Sequence, residues 1–218
     1  MKTNTLNIVN GQVMYYFFKE KDFLKEEKIV SFNEAMCYGR TSSSIFSAEF
    51  VETRSKVHNV SLDQYRNITI NALQPLLSKN FDKLVLWFDE DMFCQMNILT
   101  ILAWLDQIDY HHSVTLMLVD DEFNPIHTHT IQPKGYKEIY KQVLIEKQIP
   151  DRTLPHSLQK GIQLYVKYLN HDSDLMMYIR KHRDLPEKEL LLLLLTNFKE
   201  YGLGDTQYIE IIKSEYER

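Results

Sequence analysis

Short apolar runs alternate with mixed, helix-like stretches from Leu6 to Val119, and each run stops at a polar or acidic residue. Leu6-Asn7-Ile8-Val9 is followed by Asn10-Gly11, the signature of a strand ending in a turn. Lys28 to Phe32 predicts a second strand closed by Asn33-Glu34, and Lys83 to Phe88 a third closed by Asp89-Glu90-Asp91. Ser113 to Val119 predicts a fourth, closed by Asp120-Asp121. The third and fourth are apolar almost throughout, as strands covered on both faces are.

Between these runs the spacing turns helical. Val13 to Lys21, Ser44 to Val57 and a helix opened by Ser61 as N-cap (Leu62, Tyr65, Ile68, Leu73, Leu76) precede the third strand. Met92 to Ile108 has almost no polar face, so this helix is expected to be packed on more than one side. Strand-helix-strand alternation predicts an α/β fold, a mostly parallel sheet of four to five strands flanked by helices in a Rossmann-like three-layer arrangement. His127 to Ile131 adds a short edge strand before Pro133-Lys134-Gly135.

From Tyr136 the pattern is helical only, so the chain divides into an α/β core, 1–135, and a helical C-terminal part, 136–218. Tyr136 to Glu146 is broken by Pro150, and Pro155 opens a helix to Leu169. Asp172 is expected to cap one to Lys181, and Pro186 to sit in the first turn of one that stops at Gly202 and Gly204. Asp205 is expected to cap the last, Thr206 to Glu217.

Composition narrows the setting. The chain has 218 residues, 44% of them apolar, enough for a real core. Cys37 and Cys94 have no metal-type spacing and read as reduced thiols in a cytoplasmic protein. Met1-Lys2-Thr3-Asn4 leads into the first strand without the apolar stretch of a signal peptide. The leucines of Leu190 to Leu195 fall far short of the ~20 residues of a membrane span and predict a packed helix. A net charge of -5 disfavours nucleic acid as a partner.

Ligands of open parallel sheets bind beyond the carboxyl ends of the strands. That rule nominates Asn10, Gly11, Asn33, Glu34, Asp89, Glu90, Asp91, Asp120 and Asp121, residue types that also serve as turn formers and helix caps. Asp89 and Asp91, two apart on extended chain, point the same way, and Gln95 follows one helical turn later. Asp89, Asp91 and Glu34 are therefore the candidates for acid-base chemistry. Asn10, Gly11, Arg40, Arg54, Trp87 and Gln95 are the candidates for ligand binding. The arginines suit an anion, and the indole suits stacking on a flat ligand. No phosphate loop and no nucleophile elbow is present. His127-Thr128-His129 offers half a metal site without a third ligand at suitable spacing, so no metal is expected. Cys94 lies inside an apolar helix, where a thiol is normally inert packing.

Asn7-Ile8-Val9-Asn10-Gly11, Glu34 with Gly39, Arg54, and above all Leu86-Trp87-Phe88-Asp89-Glu90-Asp91 with Gln95 are similar to the motifs of a bacterial family, domain of unknown function 1835. Gly202-Leu203-Gly204-Asp205-Thr206-Gln207 resembles a segment of the helical domain that often follows it. The resemblance spans nearly the full length and implies the same α/β fold with a site at the strand ends. The family's leading histidine is Asn7 here, and its Gly-Asp-Ser reads Gly11-Gln12-Val13. Lost acid and hydroxyl groups imply binding without turnover, if those groups act chemically in the family.

Three function classes follow. The first is an α/β domain that binds or acts on a small polar, nucleotide-like ligand. The second is a regulatory protein whose C-terminal helices bind a partner or, through a helix-turn-helix-like segment, DNA. Against DNA, the last helix offers Lys213 among Glu210, Glu215 and Glu217, with Arg218 at the end. The third is a structural role.

Overall fold

The structure, a computed structural model, describes residues 4–217; Met1 to Thr3 of the strand lead-in and Arg218 lie outside the described residues. Five strands form one sheet: β1 (Thr5–Asn10), β2 (Lys28–Phe32), β3 (Lys83–Phe88), β4 (Val114–Val119) and β5 (Pro125–Ile131). Their spatial order is β2-β1-β3-β4-β5. The first four run parallel, and β5 joins the edge antiparallel to β4. The α/β class expected from the alternation is what the chain adopts.

Helices cover both sheet faces, and side-chain alternation decides what each face receives. Leu6 and Ile8 of β1 and Leu84, Leu86 and Phe88 of β3 point into the larger core. Val9, Val85 and Trp87 point the other way, under α1 (Gly11–Glu20), where they meet Met14 and Phe18. On the large-core side lie α2 (Ala48–Val57), α3 (Leu62–Tyr65), α4 (Gln74–Leu77) and α5 (Met92–Gln107). The chain steps from β1 outward to β2, then returns past β1 to β3, so the strand order switches between β1 and β3.

The sparse polar face of α5 has its cause in the helices that follow. After β5 the described chain is helical: α6 (Tyr136–Tyr140), α7 (His156–Tyr168), α8 (Asp174–Lys181), α9 (Glu187–Asn197), a short 3-10 turn, Lys199–Tyr201, and α10 (Asp205–Tyr216). α6 and α7 pack on α5, and Tyr140, Leu158, Ile162 and Tyr208 join the same core as Leu6 and Leu99. Gly161 of α7 sits against the Gln95 side chain, where a Cβ would collide. The helical part thus packs into the same core as the sheet and α5.

Several boundaries differ from those the pattern predicts. Phe46 adopts a left-handed φ of 59°, which ends any helix begun at Ser44, and α2 starts after Ser47, whose hydroxyl caps it. The expected helix from Ser61 is broken: α3 opens into a wide π turn, Arg66–Ile70, before α4. α6 likewise gives way to a π turn, Lys141–Ile145. Ser173 rather than Asp172 caps α8, and Gly204 rather than Asp205 precedes α10. In the leucine run, Leu190 and Leu194 are buried, Leu192 is exposed, and no helix among the described residues is long and apolar enough to cross a membrane.

A buried polar contact pins α1's face of the sheet. The Trp87 indole N–H donates to Asn7 Oδ1 at 2.9 Å, while Asn7 Nδ2 donates to Glu27 at 2.7 Å. Phe18 and Phe23 meet the indole edge-on. Asn7→Ala leaves a buried N–H without an acceptor, so we expect about 2 kcal/mol of destabilisation. Urea unfolding should show a lower midpoint at an unchanged slope.

Candidate functional site

The carboxyl ends of the strands carry most of the residues nominated by the sequence, but distributed over two clefts. Asp89, Glu90 and Asp91, just past β3, line a cleft of about 430 Å3 together with Asp121 past β4. The C-terminal helices supply its other residues, among them Lys160 of α7, Lys199 and Gly202. Asn10, Gly11 and Glu34, past β1 and β2, line a neighbouring cleft of about 330 Å3 with His58, Ile68 and Phe93.

Asp91 is the N-cap of α5, accepting from the Cys94 N–H at 2.6 Å. Asp89 supports it: one carboxylate oxygen accepts the Asp91 N–H at 3.3 Å, and the Asp89 carbonyl accepts from Gln95 Nε2 at 2.8 Å. The expected capping role is therefore what Asp91 adopts, and the cap residue also lines the cleft. Gly202, at a left-handed φ of 64°, brings the C-terminal chain so close that a Cβ would overlap the Asp91 carboxylate. Enclosure has an electrostatic result. Burial pushes the Asp91 carboxyl up to about 7; the cap N–H opposes this, and the Asp89 charge adds to it. Burial raises Asp89 as well.

Glu34 anchors the second cleft from beneath. It is fully buried and forms a two-pronged ion pair with buried Arg54, at 3.1 Å from Nε and 2.7 Å from Nη2. Its carboxylate also accepts from the Ala35 N–H, from the Tyr65 hydroxyl at 2.5 Å and from His58 Nε2. Burial alone would raise this carboxyl, but the Arg54 guanidinium and the His58 bond hold it down at about 2. Arg54 is saturated, because its remaining donors reach the carbonyls of Ala35, Tyr38 and Arg40.

A hydrogen-bonded chain joins the two clefts. Asn97 of α5 donates to the Glu34 carbonyl at 2.8 Å and to Asn10 Oδ1 at 2.9 Å, and accepts from the Met36 N–H at 3.0 Å. Asn10 Nδ2 in turn reaches the sulfur of Cys94, whose own N–H caps on Asp91. Asn10, Glu34 and Asp91 thus belong to one network beside the β1/β3 switch.

Other nominations need correction. Trp87 cannot stack on a ligand here, because strand alternation turns its ring into the core beneath α1. Arg54 is not free for an anion, since Glu34 and three carbonyls occupy it. Gln95 is fully buried under the cleft and serves as a backbone tie. Arg40 is exposed and lines neither cleft. Asp120 organises its own turn, accepting from the Glu122 and Asn124 N–H groups. His127 and His129 do share a face of β5, at 6.5 Å between rings, and among the described residues no group of three ligands suits a metal. Both cysteines are buried and free, and burial raises both thiols. His58, Tyr65, Asn97, Lys160 and Lys199 were missed, because isolated residues on helices form no motif and meet the site only through folding.

No family model, no curated protein and no solved structure matches this chain.

Two outcomes are expected from this geometry. Arg54→Met leaves the Glu34 carboxylate buried without its countercharge and should cost about 3–5 kcal/mol, measured by chemical denaturation. Asp91→Asn keeps a cap acceptor and removes the titration. Folding raises the Asp91 carboxyl from an ordinary 3.8 to about 7. Its contribution to stability is therefore complete below pH 3.8 and lost as the pH climbs through 7. Wild type should lose stability relative to the variant across that window; parallel stability-versus-pH curves would refute the assignment.

Proposed function

We propose that the protein binds a small polar, nucleotide-like ligand at the carboxyl edge of its sheet, in the cleft between the strand-end acids and the C-terminal helices. The observation that carries this reading is the pairing of opposite charges around one cavity. Asp89, Asp91 and Asp121 come from the strand ends, and Lys160 and Lys199 from the helical layer. Neither lysine side chain has a hydrogen bond or ion pair among the described residues. A ligand suited to both sets carries hydroxyls that donate to carboxylates and a phosphate or carboxylate that takes the ammonium groups, as a sugar phosphate or nucleotide does. The position past β3, beside the β1/β3 switch, is where open parallel sheets hold such ligands.

If the ligand is also turned over, Asp91 is the residue to exchange a proton with it, since it titrates near neutrality. The resemblance to the domain of unknown function 1835 family and a bacterial, cytoplasmic setting belong to the same proposal. DNA contact through α10 gains nothing from the structure, as that helix carries Lys213 against Asp205, Glu210 and Glu215.

Thermal unfolding with a panel of nucleotides, nucleosides and sugar phosphates tests the reading. Ligand at a hundredfold its Kd should raise Tm by roughly 5–10 °C. Lys160→Ala combined with Lys199→Ala should abolish the shift for phosphorylated members, with the fold intact because both side chains are exposed. A flat response of the wild-type protein across the whole panel would overturn it.

A further inference from the structure

The second cleft contains a feature that structural duty does not account for. A carboxylate has about four acceptor positions. Glu34 meets that number with Arg54 Nε, Arg54 Nη2, the Ala35 N–H and the Tyr65 hydroxyl. His58 is a fifth partner, surplus to satisfying the buried charge. It is also the one member of the cluster at the surface, with 30% of its side chain exposed beside fully buried Glu34 and Arg54.

Two groups meet His58 Nε2: the Glu34 carboxylate and, at 3.2 Å, Arg54 Nη2, whose own protons are engaged by Glu34 and the Ala35 carbonyl. Glu34, held ionised by Arg54, only accepts, so the proton on this side belongs to His58 Nε2. Nδ1 is then the lone-pair nitrogen, and it has no hydrogen-bond partner among the described residues, nor is it sealed from solvent. Tyr65 lies nearly parallel to the ring, with 19° between planes, and restricts its orientation. The cleft that His58 lines is mainly carbon, from Phe32, Ile68 and Phe93, with Gln12 and Asn33 also in its lining.

We propose that His58 is the ligand-facing proton acceptor of a second site, one that takes a small, largely apolar molecule bearing an acidic hydroxyl. The ligand's O–H proton moves to Nδ1, leaving an oxyanion beside an imidazolium whose Nε2–H remains on Glu34. No other bond changes. Glu34 is a positioning residue that fixes which nitrogen faces the ligand, and Arg54 keeps Glu34 in the accepting state.

4-Nitrophenol is a direct probe, since its phenolate absorbs visibly and its phenol does not. Titrating it with wild-type protein at about pH 6, where the free probe is mainly in its phenol form, should generate phenolate absorbance. His58→Gln retains an N–H for Glu34 and should lower that signal at least ~10-fold, the loss of one charge-assisted hydrogen bond. Ile68 is 54% exposed, so Ile68→Trp should fold normally, fill the cleft and abolish the signal. Nitrogen-15 spectra of histidine-labelled protein should place the His58 proton on Nε2 and show Nδ1 shifting as the probe is added. Absence of phenolate with wild type, an equal signal in His58→Gln, or a proton found on Nδ1 would each overturn the proposal. Nucleotide shifts at the acid-lined cleft are read separately and do not bear on this result.

Discussion

The buried ion pair between Glu34 and Arg54 is the constraint around which the carboxyl edge is arranged. Two charges taken out of water are costly, and their attraction offsets that cost only with good geometry and every remaining lone pair and proton engaged. Meeting that condition recruits distant parts of the chain. The loop after β2 gives three carbonyls, α3 gives Tyr65, and the backbone next to Glu34 is tied to Asn97 of α5. Through Asn97 and Asn10 the same order extends to Cys94 and the cap at Asp91. The two clefts are shaped by a single polar scaffold, and neither is an accident of loop packing.

This scaffold recasts the residues that stand out in the sequence. Asn7 pairs with Trp87, Glu34 with Arg54, and Gln95 with the carbonyl of Asp89. Each couples elements far apart in the chain, which a packed core needs regardless of what it binds. Side chains that face open space are different ones: Asp121, Lys160 and Lys199 on one side, His58 on the other. Prominence in the sequence here marks the frame more than the contents.

The strands were legible because burial on both faces writes an apolar run that few other elements produce, and their ends were legible because polar residues must follow. Asp89, Asp91, Asn10 and Glu34 were found for that reason. Trp87 was misplaced because its side of the strand depends on register, which is set by pairing with β1 rather than by local sequence. The role of Arg54 was hidden, since an arginine in a short helix looks solvent-facing until its partner twenty residues earlier is seen to be buried. The π turns after α3 and α6 carry no compositional signal that separates them from ordinary helix. Caps slipped by one residue at α8 and α10, where neighbouring polar residues compete for the position.

Gly202 presses against Asp91 from the helical layer, and so one wall of the acid-lined cleft is made later than the strands it closes on. As the chain leaves the ribosome, the sheet and α5 are available well before the segment around Lys199 and Gly202. Part of the burial that raises the Asp91 carboxyl comes from that segment. The enclosed cleft and the raised Asp91 carboxyl therefore depend on the same docking of a segment distant in sequence.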